Sequence, residues 1–232
     1  MRYAENLDAS VILPCLNEEA CVGECVDGAK AFLARQGLRG EVLVVDNGST
    51  DDSANAARAH GARVIFAKRK GYGNALRAGL AASRGRILLM GDCDLTYDFR
   101  DLAALYAPLA EGSYDMMVGD RFAGKMEKGA MPVSHWLGVR FLSAVGRRQT
   151  GTNVRDFHCG LRGITKSAAK TLLFRTSGME FASEMIALAA KNGLRIGETP
   201  VHLRKCPHRR KSKLRALPDG LRHLQYLLRV TV

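Results

Sequence analysis

Short apolar runs alternate with longer stretches of helical period through the first half of the chain. SVILPC reads as a buried strand, and the NEEACVGECVDGAKAFLARQ after it opens on acids and closes on bases, as a helix dipole favours. EVLVVD, residues 41 to 46, is a second strand, and NGSTDDS supplies turn residues and an N-cap for a helix reaching about His60. ARVIFAK makes a third strand, a helix runs from Ala75 toward Ser83, and RILLMG, residues 86 to 91, is a fourth strand. Mostly apolar strands that alternate with helices predict an α/β fold, with a mainly parallel central sheet and helices on both faces.

Beyond Gly91 the rhythm loosens. RDLAALYAPLAEG predicts a helix and DMMVG, residues 115 to 119, a strand. FAGKMEKGAMP, residues 122 to 132, has glycines, charge and no period, which predicts a mobile loop that orders over a bound ligand. SHWLGVRFLSAVGRRQ and MEFASEMIALAAKNG predict helices, DFHCGLRGIT a turn into a strand, and LRIGETPVHL, residues 194 to 203, another strand. On the closing helix, PDGLRHLQYLLRVTV, Leu221, Leu224, Leu227 and Leu228 share one face. The chain thus reads as one continuous domain with a first half over residues 1–120 and a second over 121–232.

With 232 residues and 47% hydrophobic content, the chain can bury one sizeable core. Six cysteines, none in a CxxC, argue for a reduced, cytoplasmic protein, and His158 and His202 lack zinc-ligand spacing. The N-terminus has no apolar secretory core, and no run nears the roughly eighteen apolar residues of a membrane span. A formal net charge of +12 predicts an anionic partner, and much of the excess gathers between Arg204 and Arg215. Nucleic acid is not the partner expected: aromatic residues are 6% of the chain and do not interleave with the basic ones.

The candidate chemistry gathers where strands end, as ligands do in open α/β sheets. GDCDLTYDF puts Asp92 and Asp94 on one side of an extended segment, where Mg2+ or Mn2+ can meet carboxylate oxygen and still accept phosphate. Taken alone, such a pair also describes a turn and a helix N-cap. PCLNE brings Pro14, Asn17 and Glu18 to the first strand end, VDNGSTD brings Asp46 and Asn47 to the second, and Gly71 and Gly73 of GYGN stand at the third. Carboxylates can accept a base's ring N–H groups, and glycines let backbone approach a ligand.

These four stretches, in this order, resemble the family 2 glycosyltransferases. GDRF (119–122), CGLR (159–162), FASEM (181–185) and Ser212-Lys213 resemble the polyprenyl-phosphate, dolichyl-phosphate mannosyltransferase-like branch. The resemblance implies a glycosyltransferase A-type nucleotide-sugar-binding fold. Pro14, Glu18 and Asp46 would bound the base and ribose pocket, Asp92 would meet the nucleotide, Asp94 would hold the metal, and Arg121 would face the donor phosphates. Arg162, Ser212 and Lys213 would hold the acceptor phosphate, a task suited to a planar fork, a neutral donor and a point charge. Asn47 departs from the family's usual second Asp, and Thr96 stands where some relatives have a metal-binding Gln.

The implied activity is metal-dependent inverting transfer from a GDP- or UDP-sugar to a lipid-linked phosphate, by an enzyme peripheral at the inner face of an anionic membrane. An ionised phosphate acceptor needs no protein base. A sugar-hydroxyl acceptor would need one, and Glu180 or Glu184 is the candidate. Two other classes stay open: a sugar-phosphate nucleotidyltransferase, which should carry an early glycine-rich basic loop where PCLNEE stands, and a nucleic-acid-binding protein.

Overall fold

Each apolar run becomes a strand because both of its faces are covered. In β1 (Leu7–Cys15) the side chains of Val11, Ile12 and Leu13 are all fully buried, a pattern that only a sheet packed on two sides permits. The computed structural model describes residues 7–208 and 216–230. After β1 come α1 (Glu19–Arg35), β2 (Gly40–Asp46), α2 (Ser53–Ala59), β3 (Arg63–Phe66), α3 (Tyr72–Ala82) and β4 (Gly85–Met90). A 3-10 turn at Phe99–Asp101 leads into α4 (Leu102–Ala110), followed by β5 (Met116–Asp120), α5 (Val133–Thr150) and β6 (Arg162–Thr165). The chain continues through α6 (Lys166–Thr171), α7 (Phe181–Lys191), β7 (Ile196–Pro200) and α8 (Ala216–Arg229).

The seven strands among the described residues form one sheet in the order β3-β2-β1-β4-β6-β5-β7. All neighbours are parallel except β6, which runs antiparallel to both β4 and β5. Register brings Cys15, Asp46 and Phe66 level at the carboxyl ends of β1, β2 and β3. Asp92 and Asp94 follow directly on β4 beside them.

Two expectations change. The short helix α6 was not predicted, because KSAAKT has no apolar period; its one signal is Thr165, whose hydroxyl accepts the Ala168 N–H as an N-cap. The segment expected to be a mobile loop is stitched down over its first half. Leu203 N–H donates to the Lys125 carbonyl, Glu127 N–H donates to Leu203, and a Cβ on Gly124 would fall 2.0 Å from the Val201 carbonyl oxygen. Ala130, Met131 and Pro132 form the lip of a cleft.

Candidate active site

A cleft of about 610 Å3 opens at the carboxyl ends of β1, β2 and β4. Pro14, Glu18, Asn47, Gly71, Asp92, Asp94 and Arg121 line it, as the sequence predicts for a shared site. The loops behind these residues brace one another. Asn17, at a left-handed φ of 51°, accepts the Thr50 N–H at 2.7 Å and donates its own N–H to Ser49, and Glu18 N–H reaches Ser53 at 2.9 Å. VDNGSTD therefore serves as scaffold for PCLNE.

The two acids after β4 are held from different sides. Asp92 accepts the Tyr72 hydroxyl at 3.1 Å. Burial and the Asp92 carboxylate push the Tyr72 pKa well up, so the phenol stays a donor. Asp94 accepts both the N–H and the hydroxyl of Thr96 through one oxygen. Thr96 thus braces Asp94. Gly160 stands against Asp92, and a Cβ there would come within 2.3 Å of the Asp92 Oδ2. Gly160→Ala should accordingly displace that carboxylate and weaken nucleotide-sugar affinity by about tenfold or more, since a ~1 Å misplacement is costly at a reacting site. Calorimetric titration with the donor checks this.

Arg121 reaches the cleft but is largely committed. Its Nε and Nη2 donate to the two oxygens of fully buried Asp156 at 2.6 and 2.8 Å. Burial opposes the charge on Arg121, yet the Asp156 carboxylate outweighs it and raises the pKa.

Several predicted site residues have other work. Asp46 does not line the cleft; its carboxylate accepts the N–H groups of Gly48 and Ser49, shaping the turn after β2. Asn47 donates to the Arg69 carbonyl and accepts the Gly71 N–H. A carboxylate there would oppose that carbonyl, which explains the amide. Gly71 and Gly73 are required by protein rather than by ligand: a Cβ would meet the Ser177 carbonyl oxygen at 2.2 Å or that of Thr176 at 2.8 Å. Arg162 is buried and spends three N–H groups on the carbonyls of Phe157, Cys159 and Ala182, which corrects its reading as an acceptor clamp. Glu184 is likewise buried, accepting from the N–H groups of Arg175 and Thr176 and from the Thr176 hydroxyl. Neither Arg162 nor Glu184 lines the cleft. Ser212 and Lys213 lie outside the described residues.

The sequence reading passed over a polar cluster at the far wall. His158 and His223 both line the cleft, their rings 4.4 Å apart edge to face, and both approach the Ser183 hydroxyl, at 3.2 and 2.8 Å. No motif spacing announces a pair assembled from a loop and α8. Burial lowers both pKa values, that of His223 to about 4 and that of His158 well below its ordinary range. The folded chain keeps them neutral, whereas unfolded histidine charges near pH 6.5. Stability present above about pH 6.5 should therefore be lost as pH falls toward about 4, by about 3 kcal/mol for His223. Urea unfolding at both ends of that window should show the loss, and His223→Gln should flatten it.

The family model for glycosyl transferase family 2 matches residues 10–173. The chain is 38% identical over 220 residues to the low-salt glycan biosynthesis hexosyltransferase Agl6 of Haloferax volcanii, covering 94% of this chain and 52% of that protein. It thus spans about half the length of that curated relative. It is 28% identical to a dodecaprenyl-phosphate galacturonate synthase of Rhizobium johnstonii, covering 85% of this chain and 59% of the relative. Among solved structures, glucosyl-3-phosphoglycerate synthase of Mycobacterium tuberculosis, in complex with Mn2+, UDP and glucosyl-3-phosphoglycerate, matches with a TM-score of 0.75. That match is 26% identical and covers 96% of this chain and 78% of the other.

Proposed function

The chain belongs to glycosyltransferase family 2, and from that premise we propose that it moves a hexosyl or N-acetylhexosaminyl group from a nucleotide sugar to a polyprenyl phosphate, with inversion at the anomeric carbon. The nucleotide-sugar-binding, GT-A-like fold supplies the donor cleft. The acceptor rests on one observation: a broad apolar surface borders that cleft. One side of α5 contributes Ser134, His135, Gly138 and Leu142 to the cleft wall, while Val133, Leu137 and Phe141 are 74, 58 and 60% exposed. On α8, which packs against α5 and α7, Asp219, His223 and Leu227 turn inward, leaving Leu217, Leu221 and Leu228 exposed. Exposed apolar side chains on two neighbouring helices suit a lipid chain whose phosphate enters the cleft, and a bilayer beneath it. Arg140, stacked on Trp136 at 4.7 Å, and Arg222 and Arg229 of α8 suit anionic headgroups.

Asp92 and Asp94 fit a hard divalent ion, Mg2+ or Mn2+, because both carboxylates reach the cleft. Among the described residues no three His, Cys, Asp or Glu side chains gather as a metal cage, so the donor phosphates would share the ion's shell. When bound, the ion would offset charge on the departing nucleoside diphosphate. Arg121 adds a cation at the same wall, its plane fixed by Asp156. An ionised phosphate attacks without a base, in keeping with Glu184 being spent on the backbone of residues 175 and 176.

The test offers UDP- and GDP-sugars with three acceptors: a polyprenyl phosphate in vesicles, a free sugar, and 3-phosphoglycerate. Transfer to the lipid phosphate, with an inverted anomeric coupling in the product, is expected. Preference for either soluble acceptor would overturn the lipid assignment. The same vesicles should bind the protein at low salt and release it at high salt when their lipids are anionic.

A further inference from the structure

Cys15 closes β1 and Cys93 stands between the two acids that follow β4, and the chemistry proposed above uses neither thiol. The β1–β4 ladder pairs Leu7 with Gly85, Ala9 with Ile87 and Ile12 with Met90, and Gly91 extends it by donating to the Ile12 carbonyl at 3.2 Å. Cys15 and Cys93 each follow three residues beyond the last pair of that ladder, Ile12 and Met90. Adjacent strands run about 4.8 Å apart where they are paired, and a disulfide bridges Cα separations of roughly 4.4–6.8 Å. Each thiol is the largest influence on the other's pKa, which Cys93 lowers at Cys15 and Cys15 raises at Cys93. Each residue is only 2% exposed, yet both line the cleft, so a small reagent that enters it meets them together.

We infer that Cys15 and Cys93 are a dithiol modification site in the cleft floor, closed to a disulfide by a peroxide and captured by soft thiophiles such as trivalent arsenicals, and that closure weakens donor binding. The second clause rests on reading the cleft as the donor site. In the oxidation two S–H bonds break and one S–S bond forms. The two protons and two electrons pass to the peroxide, which leaves as two waters. The two sulfur atoms must then approach to about 2.05 Å. Cys93 is drawn toward β1 and takes Asp92 and Asp94 off their bonds to Tyr72 and Thr96. A displacement of about 1 Å at such groups is worth on the order of a hundredfold.

The experiment uses the full chain with Cys206→Ser, because Cys206 is the cysteine open to solvent and would otherwise cross-link molecules. Hydrogen peroxide is added without reductant, and non-reducing peptide mass spectrometry follows. A 15–93 linked pair, lighter by two hydrogens, is expected, with nucleotide-sugar affinity at least tenfold weaker and restored by dithiothreitol. Phenylarsine oxide should have the same effect, reversed by a competing dithiol. In Cys15→Ala, donor affinity should be the same before and after peroxide, whatever its starting value. Absence of the linked pair overturns the site, and a linked pair that leaves affinity unchanged overturns the switch. Mass alone reads the link, so a protein that bound no nucleotide sugar would strike the donor reading instead.

Discussion

Asp94→Ala is expected to abolish manganese-dependent binding of the nucleotide sugar and to cut transfer by about a hundred- to a thousandfold, while the fold persists. The size follows from how Asp94 is held. One of its oxygens takes both the N–H and the hydroxyl of Thr96, so the charge is oriented before any ligand arrives. Alanine removes the charge and leaves Thr96, half-buried, with cleft solvent as a replacement partner. Thermal unfolding with donor present, with and without manganese, checks it, because a ligand that binds only the folded state raises apparent stability. The wild type should gain from manganese and the variant should not, with melting points alike in ligand-free buffer. Thr96→Val should fall between the two. An undiminished manganese effect in Asp94→Ala would take Asp94 out of the site.

Asp156→Ala should cost about 3–5 kcal/mol of folding stability, because it strands a guanidinium in the interior. Arg121 is buried, and its bonds to Asp156, at 2.6 and 2.8 Å, satisfy two of its donor positions. The Asp156 carboxylate also accepts the His158 N–H, so the damage should extend to the histidine wall. Urea unfolding measures the loss. The combination Asp156→Ala with Arg121→Met should recover much of it, since removing both charges leaves no unpaired ion. A double variant as unstable as Asp156→Ala would assign the cost to the cavity rather than to the stranded charge.

Strand positions were legible in the chain because a sheet buried on both faces writes continuous apolar runs, as in EVLVVD and RILLMG. The short α6 and the reversed direction of β6 were not, since neither leaves a periodic signature within so few residues. At the site, residues that face a ligand and residues that hold the loops beside it look alike in sequence. Asp46, Gly73, Arg162 and Glu184 sit in stretches that the sequence singles out, yet each is bonded to or packed on backbone. Only tertiary contacts separate the two kinds. The same holds in reverse for Asp156 and Gly160, inside DFHCG, whose part in aiming Arg121 and Asp92 depends on partners more than thirty residues away.

The reversed strand has a consequence for anyone who would cut this protein down. β6 lies between β4 and β5, pairing Leu88 with Ile164 on one side and Met116 with the same Ile164 on the other. A fragment ending at residue 120 would hold Pro14, Glu18, Asn47, Asp92 and Asp94 of the cleft and none of β6. β4 would then become an edge, presenting Leu88, Leu89 and Met90, which the whole chain keeps buried, to any passing strand. Such an edge is a template for intermolecular pairing. The donor half should therefore precipitate when expressed alone, and co-expression with residues 121–232 should rescue it.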